Sequence, residues 1–120
     1  MNINHERVFI VEDDAMVRNV LSQVLLENGY LPVAMASAED ALSIETFVDR
    51  IIFDVFMPGM GGIEGIARFR EQWPDAKVIA ISGGWGTMDK HKALEAAKRV
   101  GADCVLAKPF TNEELLEAVA

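Results

Sequence analysis

The chain has 120 residues, enough for one domain with a single core, and its 51% hydrophobic and 25% charged residues are a globular balance rather than a disordered one. A net charge of -8 argues against direct binding to nucleic acid or an anionic membrane, since both ask for Lys and Arg patches. No apolar run reaches the ~20 residues that span a bilayer, MNINHER lacks a signal peptide's apolar region, and Cys104 stands alone, so the expected setting is the reducing cytoplasm.

Strand-like and helix-like segments alternate along the chain. The apolar run RVFIV, residues 7–11, predicts a strand and finishes abruptly in Glu12, Asp13 and Asp14. Over residues 15–28, Val17, Val20, Leu21, Val24 and Leu25 recur at helical spacing, and Gly29 supplies the stop. YLPVAMA, residues 30–36, reads as a second strand. Pro32 has no N–H to give a ladder, so it fits only a sheet edge or a strand start. Ser37 predicts the cap of a short helix reaching Phe47.

RIIFDV, residues 50–55, is the third strand. Arg50 is unexpected in such a run and is placed at the strand's start, where its guanidinium reaches water. After the Pro/Gly-rich loop MPGMGG, Ile63, Ile66, Ala67 and Phe69 mark one face of a helix ended by Trp73-Pro74. KVIAIS is the fourth strand, GGWGT a loop, and residues 88–100 a helix stopped at Gly101. CVLA is the fifth strand, and KPFTNEELLEAVA opens the last helix, with Thr111 and Glu114 spaced as a capping box. Cys104 reads as a small buried hydrophobe.

Five strands alternating with five helices imply βαβ units, hence one α/β domain over residues 1–120 with a parallel sheet and helices on both faces. The last helix stops abruptly at Ala120, so the expectation is either a single-domain protein or one piece of a longer one.

In an open parallel sheet the functional crevice lies beyond the carboxyl ends of the strands. Glu12, Asp13 and Asp14 follow the first strand, Asp54 lies at the end of the third, Ser82 ends the fourth and Lys108 follows the fifth. Carboxylates brought together repel unless they are protonated or neutralised, and a hard divalent cation with oxygen ligands, Mg²⁺ or its substitute Mn²⁺, resolves the conflict. A carboxylate oxygen can attack phosphorus to form an acyl phosphate. Asp54 is the expected nucleophile, with the metal and Lys108 as counter-charges and Ser82 as a hydrogen-bond donor to the transferred group.

VEDD, DVFMPGMGG, ISGG and KPF, each after a successive strand as described, together resemble the receiver domain of bacterial two-component response regulators over essentially the whole chain. The resemblance implies a flavodoxin-like doubly wound (βα)5 fold. It implies phosphoryl transfer onto Asp54 from a histidine kinase or histidine phosphotransfer protein, in a Mg²⁺-dependent reaction that switches conformation. The same likeness makes Glu12, Asp13, Asp54 and the Phe56 backbone carbonyl the metal ligands, with Lys108 and Ser82 assisting and a cis Lys108-Pro109 bond. It also implies kinase specificity on the first helix around residues 16–23, and a homodimer face formed by the fourth helix, fifth strand and fifth helix. Asp14 matches no required role and reads as a helix cap. Such a domain modifies itself and turns over no outside substrate, so it is not expected to be an enzyme.

Two departures from the family pattern stand out. Val105 occupies the position, three residues before the lysine, where the family usually has an aromatic that reports phosphorylation. The stretch between Ala41 and Asp54 is also short. Phe56 and Gly84 flank the site, and Phe56 is expected to shield the acyl phosphate from water. The alternative is a receiver-like interaction module that works without phosphate. An aspartyl phosphohydrolase would want a second Asp where Phe56 stands, and an FMN binder would want a phosphate cradle where EDDAM stands. Met57, Met60 and Met88 read as packing residues, Trp85 as a loop residue, and His5 and His91 form no zinc set.

Overall fold

Alternate residues of the central strands face opposite layers, and the sequence fills both with apolar side chains. The computed structural model describes residues 6–55, 62–82 and 90–120. Along these the elements run β1 (Arg7–Val11), α1 (Ala15–Glu27), β2 (Leu31–Met35), α2 (Ala38–Leu42), β3 (Arg50–Asp54), α3 (Gly62–Gln72), β4 (Lys77–Ser82), α4 (Lys90–Arg99), β5 (Cys104–Ala107) and α5 (Asn112–Val119). The strands pair in parallel as one five-stranded sheet, in the order β2-β1-β3-β4-β5.

Phe9, Val11, Ile51, Phe53, Val78 and Ala80 project into one layer, against Ala38 and Ala41 of α2, Ile66 and Phe69 of α3 and Ala97 of α4. Val8, Ile10, Ile52, Ile79 and Ile81 project into the other, against Leu21, Val24 and Leu25 of α1 and Leu115, Ala118 and Val119 of α5. Full burial of each large side chain stabilises the fold by ~1.5–3 kcal/mol. Cys104 packs half-buried against this second layer, its Sγ 3.8 Å from the Ala118 carbonyl. No helix among the described residues is long and apolar enough to cross a membrane.

β2 is an edge strand, as Pro32 requires. The Leu31 N–H donates to Glu6 and the Met35 carbonyl accepts from Glu12, so the odd-numbered residues of β2 face β1. Pro32 therefore points its missing donor outward and costs the ladder nothing.

The second helix is shorter than its cap predicts. Ser37 does cap it, accepting from the Asp40 N–H at 3.1 Å, but α2 ends at Leu42 rather than Phe47. Carbonyls at its end and beyond find distant side-chain donors instead. Gln72 Nε2 donates to Leu42 at 3.1 Å, Trp73 Nε1 to Thr46 at 2.7 Å and Arg7 to Phe47 at 3.1 Å. Phe47 is left 67% exposed rather than packed on a helix face.

Arg50 does begin β3, but protein groups rather than water satisfy it. Its guanidinium pairs with Glu6, donates to the Val119 carbonyl at the end of α5 and lies 5.6 Å from the Tyr30 ring centroid. Its register partner Lys77 donates to the Ala120 carbonyl at 3.1 Å. Two neighbouring cations thus serve the negative end of one helix, where the macrodipole favours them.

Candidate functional site

The sheet's parity brings two acids into an apolar layer. Asp54 ends β3 on the face of Ile52, and Glu12 follows β1 with the alternation of Val8 and Ile10. The Glu12 N–H donates to Met35 at 3.0 Å, extending the pairing past the strand end. Consequently Glu12 is only 2% exposed and Asp54 6%. Buried carboxylates are strongly unfavourable unless something compensates them.

Lys108 is the compensation. Leaving the end of β5, its Nζ lies 3.0 Å from Glu12 Oε1 and 3.1 Å from Asp54 Oδ2. Asp13 stands exposed beside them, and oxygens of Glu12, Asp13 and Asp54 all lie within 4.8 Å of one another. Among the described residues, the ammonium of Lys108 contacts two of these three carboxylates.

Burial, the largest cause, pushes the Glu12 carboxyl up to about 7; Lys108 and the Asp14 N–H oppose it, while Asp13 and Asp54 add to it. Burial alone would lower the Lys108 ammonium, but its bonds and proximity to Glu12 and Asp54 outweigh that and raise it. An oxygen-only set with excess negative charge fits a hard divalent cation such as Mg²⁺ or Mn²⁺.

Neighbouring residues hold the frame. Asp14 Oδ1 accepts from the N–H groups of Met16 at 2.9 Å and Val17 at 3.3 Å, so it caps α1 and stays outside the cluster. Its own N–H donates to Glu12 Oε2 at 3.2 Å. The Lys108-Pro109 bond is cis, and Thr111 with Glu114 forms the capping box that starts α5. Gly62 and Gly65 let α3 approach β3 closely: a Cβ on Gly65 would fall 2.6 Å from the Phe53 ring.

Sequence reasoning missed Arg18, whose NH1 donates to the Glu12 carbonyl at 2.7 Å. A cation so near the start of a helix, against the dipole, was the available signal. Ser82 closes β4 opposite Ala107, which places its backbone at the same rim; its hydroxyl lies outside the described side chains. Phe56, Met57, Met60, Gly84, Trp85, Met88 and His5 lie outside the described residues, as does the side chain of His91. Val105 is half-buried and packs against the layer that holds Phe69 and Ala97. Beside Lys108 a groove of about 480 Å³ runs between α1 and the start of α5, lined by Met16, Val17, Val20, Leu21, Pro109 and Phe110 among others. Met16 is 75% and Val20 54% exposed there.

The family model described as the response regulator receiver domain matches residues 8–120. Response regulator protein FleR of Pseudomonas aeruginosa is 39% identical over 117 residues, covering 95% of this chain and 24% of that protein. The two-component response regulator PhoP of the same species is 33% identical over 111 residues, covering 91% and 48%. The chain spans less than half the length of each of eight such curated relatives, from 24% to 49%. Among solved structures, the beryllofluoride-activated NtrC4 receiver domain dimer is 34% identical with a TM-score of 0.82, covering 94% of this chain and 92% of that one. Chemotaxis protein CheY4 of Vibrio cholerae is 30% identical with a TM-score of 0.81, covering 95% of each.

Proposed function

Because the chain belongs to the receiver domain family of response regulators, we propose that it is a phosphoacceptor switch that takes a phosphoryl group onto Asp54 from a histidine kinase or histidine phosphotransfer protein. The observation that carries this reading is Lys108 bridging Asp54 and Glu12, with Asp13 close by, at a rim assembled from separate strand ends.

An Asp54 carboxylate oxygen attacks phosphorus, and the phosphorus–nitrogen bond to the donor imidazole breaks with its electron pair going to nitrogen. Lys108, already against Asp54, stabilises negative charge on the transferring group. Glu12 and Asp13, with Asp54 and the Phe56 carbonyl, would hold Mg²⁺, which when bound supplies positive charge to the phosphoryl oxygens. The Ser82 hydroxyl is assigned to the phosphoryl group once it arrives. The chain modifies itself and turns over no outside substrate, so we class it as a signalling domain rather than an enzyme.

The exposed apolar residues Met16 and Val20, beside the groove that reaches Lys108, support docking of the phosphodonor along α1. An apolar helix face laid into that groove would bring its histidine to the rim.

The test is intact-protein mass spectrometry after incubation with Mg²⁺ and acetyl phosphate, beside Asp54→Ala. A metal-dependent gain of one phosphate, absent in the variant, is the expected result. No gain in a chain that binds metal would overturn the reading in favour of a module that works without phosphate.

A further inference from the structure

Arg18 sits four residues after the cap Asp14, near the positive end of the α1 dipole. The macrodipole disfavours a guanidinium there, and the acid at that end, the cap Asp14, is engaged with the N–H groups of Met16 and Val17. What occupies the guanidinium lies behind the helix: NH1 donates 2.7 Å to the main-chain carbonyl of Glu12, six residues back.

That carbonyl belongs to the peptide unit joining Glu12 to Asp13. The unit is planar, so fixing its oxygen fixes the direction in which the Asp13 backbone departs. Glu12 is secured by other bonds too, at its N–H by Met35 and at its carboxylate by Lys108 and the Asp14 N–H. Asp13 is exposed, and the peptide plane before it is one constraint on where its backbone leads.

We propose that Arg18 is a positioning residue, which through the Glu12 carbonyl aims Asp13 and Glu12 toward Asp54 so that the carboxylates converge before a divalent cation arrives. This rests on the phosphoacceptor reading of the same site. A preorganised acid set loses less order on binding its ion.

Charge and position predict opposite signs. As a mere cation, Arg18 repels a divalent ion, and its removal tightens binding. As a positioning group, its removal weakens binding, by about tenfold on the scale typical of groups that orient metal ligands.

The experiment is a Mn²⁺ titration of the full chain, followed through the electron paramagnetic resonance signal of free hydrated Mn²⁺, for wild type, Arg18→Ala and Arg18→Lys. The expected result is about tenfold weaker binding by Arg18→Ala, largely recovered in Arg18→Lys, which keeps a charge and a donor. Equal or tighter binding by Arg18→Ala overturns the inference and leaves the phosphoacceptor reading standing. Absence of Mn²⁺ binding by wild type removes both. Thermal unfolding in chelator checks that each variant is folded at the titration temperature. If Arg18→Ala is not, Arg18→Met, which keeps the length but has no donor, is titrated under the same criterion.

Discussion

Lys108 and Glu12 are 96 residues apart in sequence and 3.0 Å apart in the folded chain. The same ammonium also holds Asp54, so one side chain pairs with two buried acids. Replacing Lys108 with Ala leaves both without it. In chelator, Lys108→Ala is expected to lose ~2–4 kcal/mol of unfolding free energy by urea denaturation, with part of the loss restored by saturating Mg²⁺. An unchanged midpoint in chelator would mean that protonation of Glu12 already relieves the site.

Gly65 faces the Phe53 ring with no room for a methyl group, and Phe69 holds that ring edge-on at a centroid distance of 5.0 Å. Gly65→Ala gains ~1 kcal/mol of helix propensity but overpacks a filled layer, which costs ~1–3 kcal/mol. A net loss of about 1 kcal/mol is expected, read as a lower urea midpoint at constant slope. Net stabilisation would mean that Phe53 yields.

Trp73 closes the connection between α2 and β3 through a single donor, Nε1 to the Thr46 carbonyl at 2.7 Å. Trp73→Phe keeps a ring against Phe9 and removes that donor. It is expected to cost ~1–2 kcal/mol and to speed amide hydrogen exchange over residues 43–48 more than in α3. Equal acceleration everywhere would place the loss in the core instead.

Pro32 withholds an outward N–H from the open edge of β2. Pro32→Val restores that donor beside the exposed Leu31 and Val33. Sedimentation at rising concentration is expected to show stronger self-association than in wild type. If the two chains sediment alike, the edge is protected by something other than proline.

Much of this architecture was legible because its determinants are local. RVFIV, KVIAIS and CVLA became β1, β4 and β5 to the residue, and Ser37, Asp14 and Thr111 each cap the helix that follows. The acid cluster was legible because strand ends of a parallel sheet share a rim. The end of α2 was not, since the donors to its loop come from Arg7, Gln72 and Trp73, far away in sequence. Arg50 was visible as an anomaly in its strand, but the partners that resolve it, Val119 and Tyr30, come from elements that no local pattern connects to it. Arg18 was visible only as a cation near a helix start, and its partner, a main-chain oxygen, leaves no mark in the side-chain pattern.

The grip of Arg50 and Lys77 on the last carbonyls of α5 has a mechanical meaning. A pull on residue 120 does not load the helix alone, because these cations stand at the starts of β3 and β4, where both strands enter the sheet. The force passes directly into two inner strands, and Asp54 lies at the far end of one of them. Tension at the end of α5 and the Asp54 carboxylate at the rim thus bear on opposite ends of a single five-residue strand.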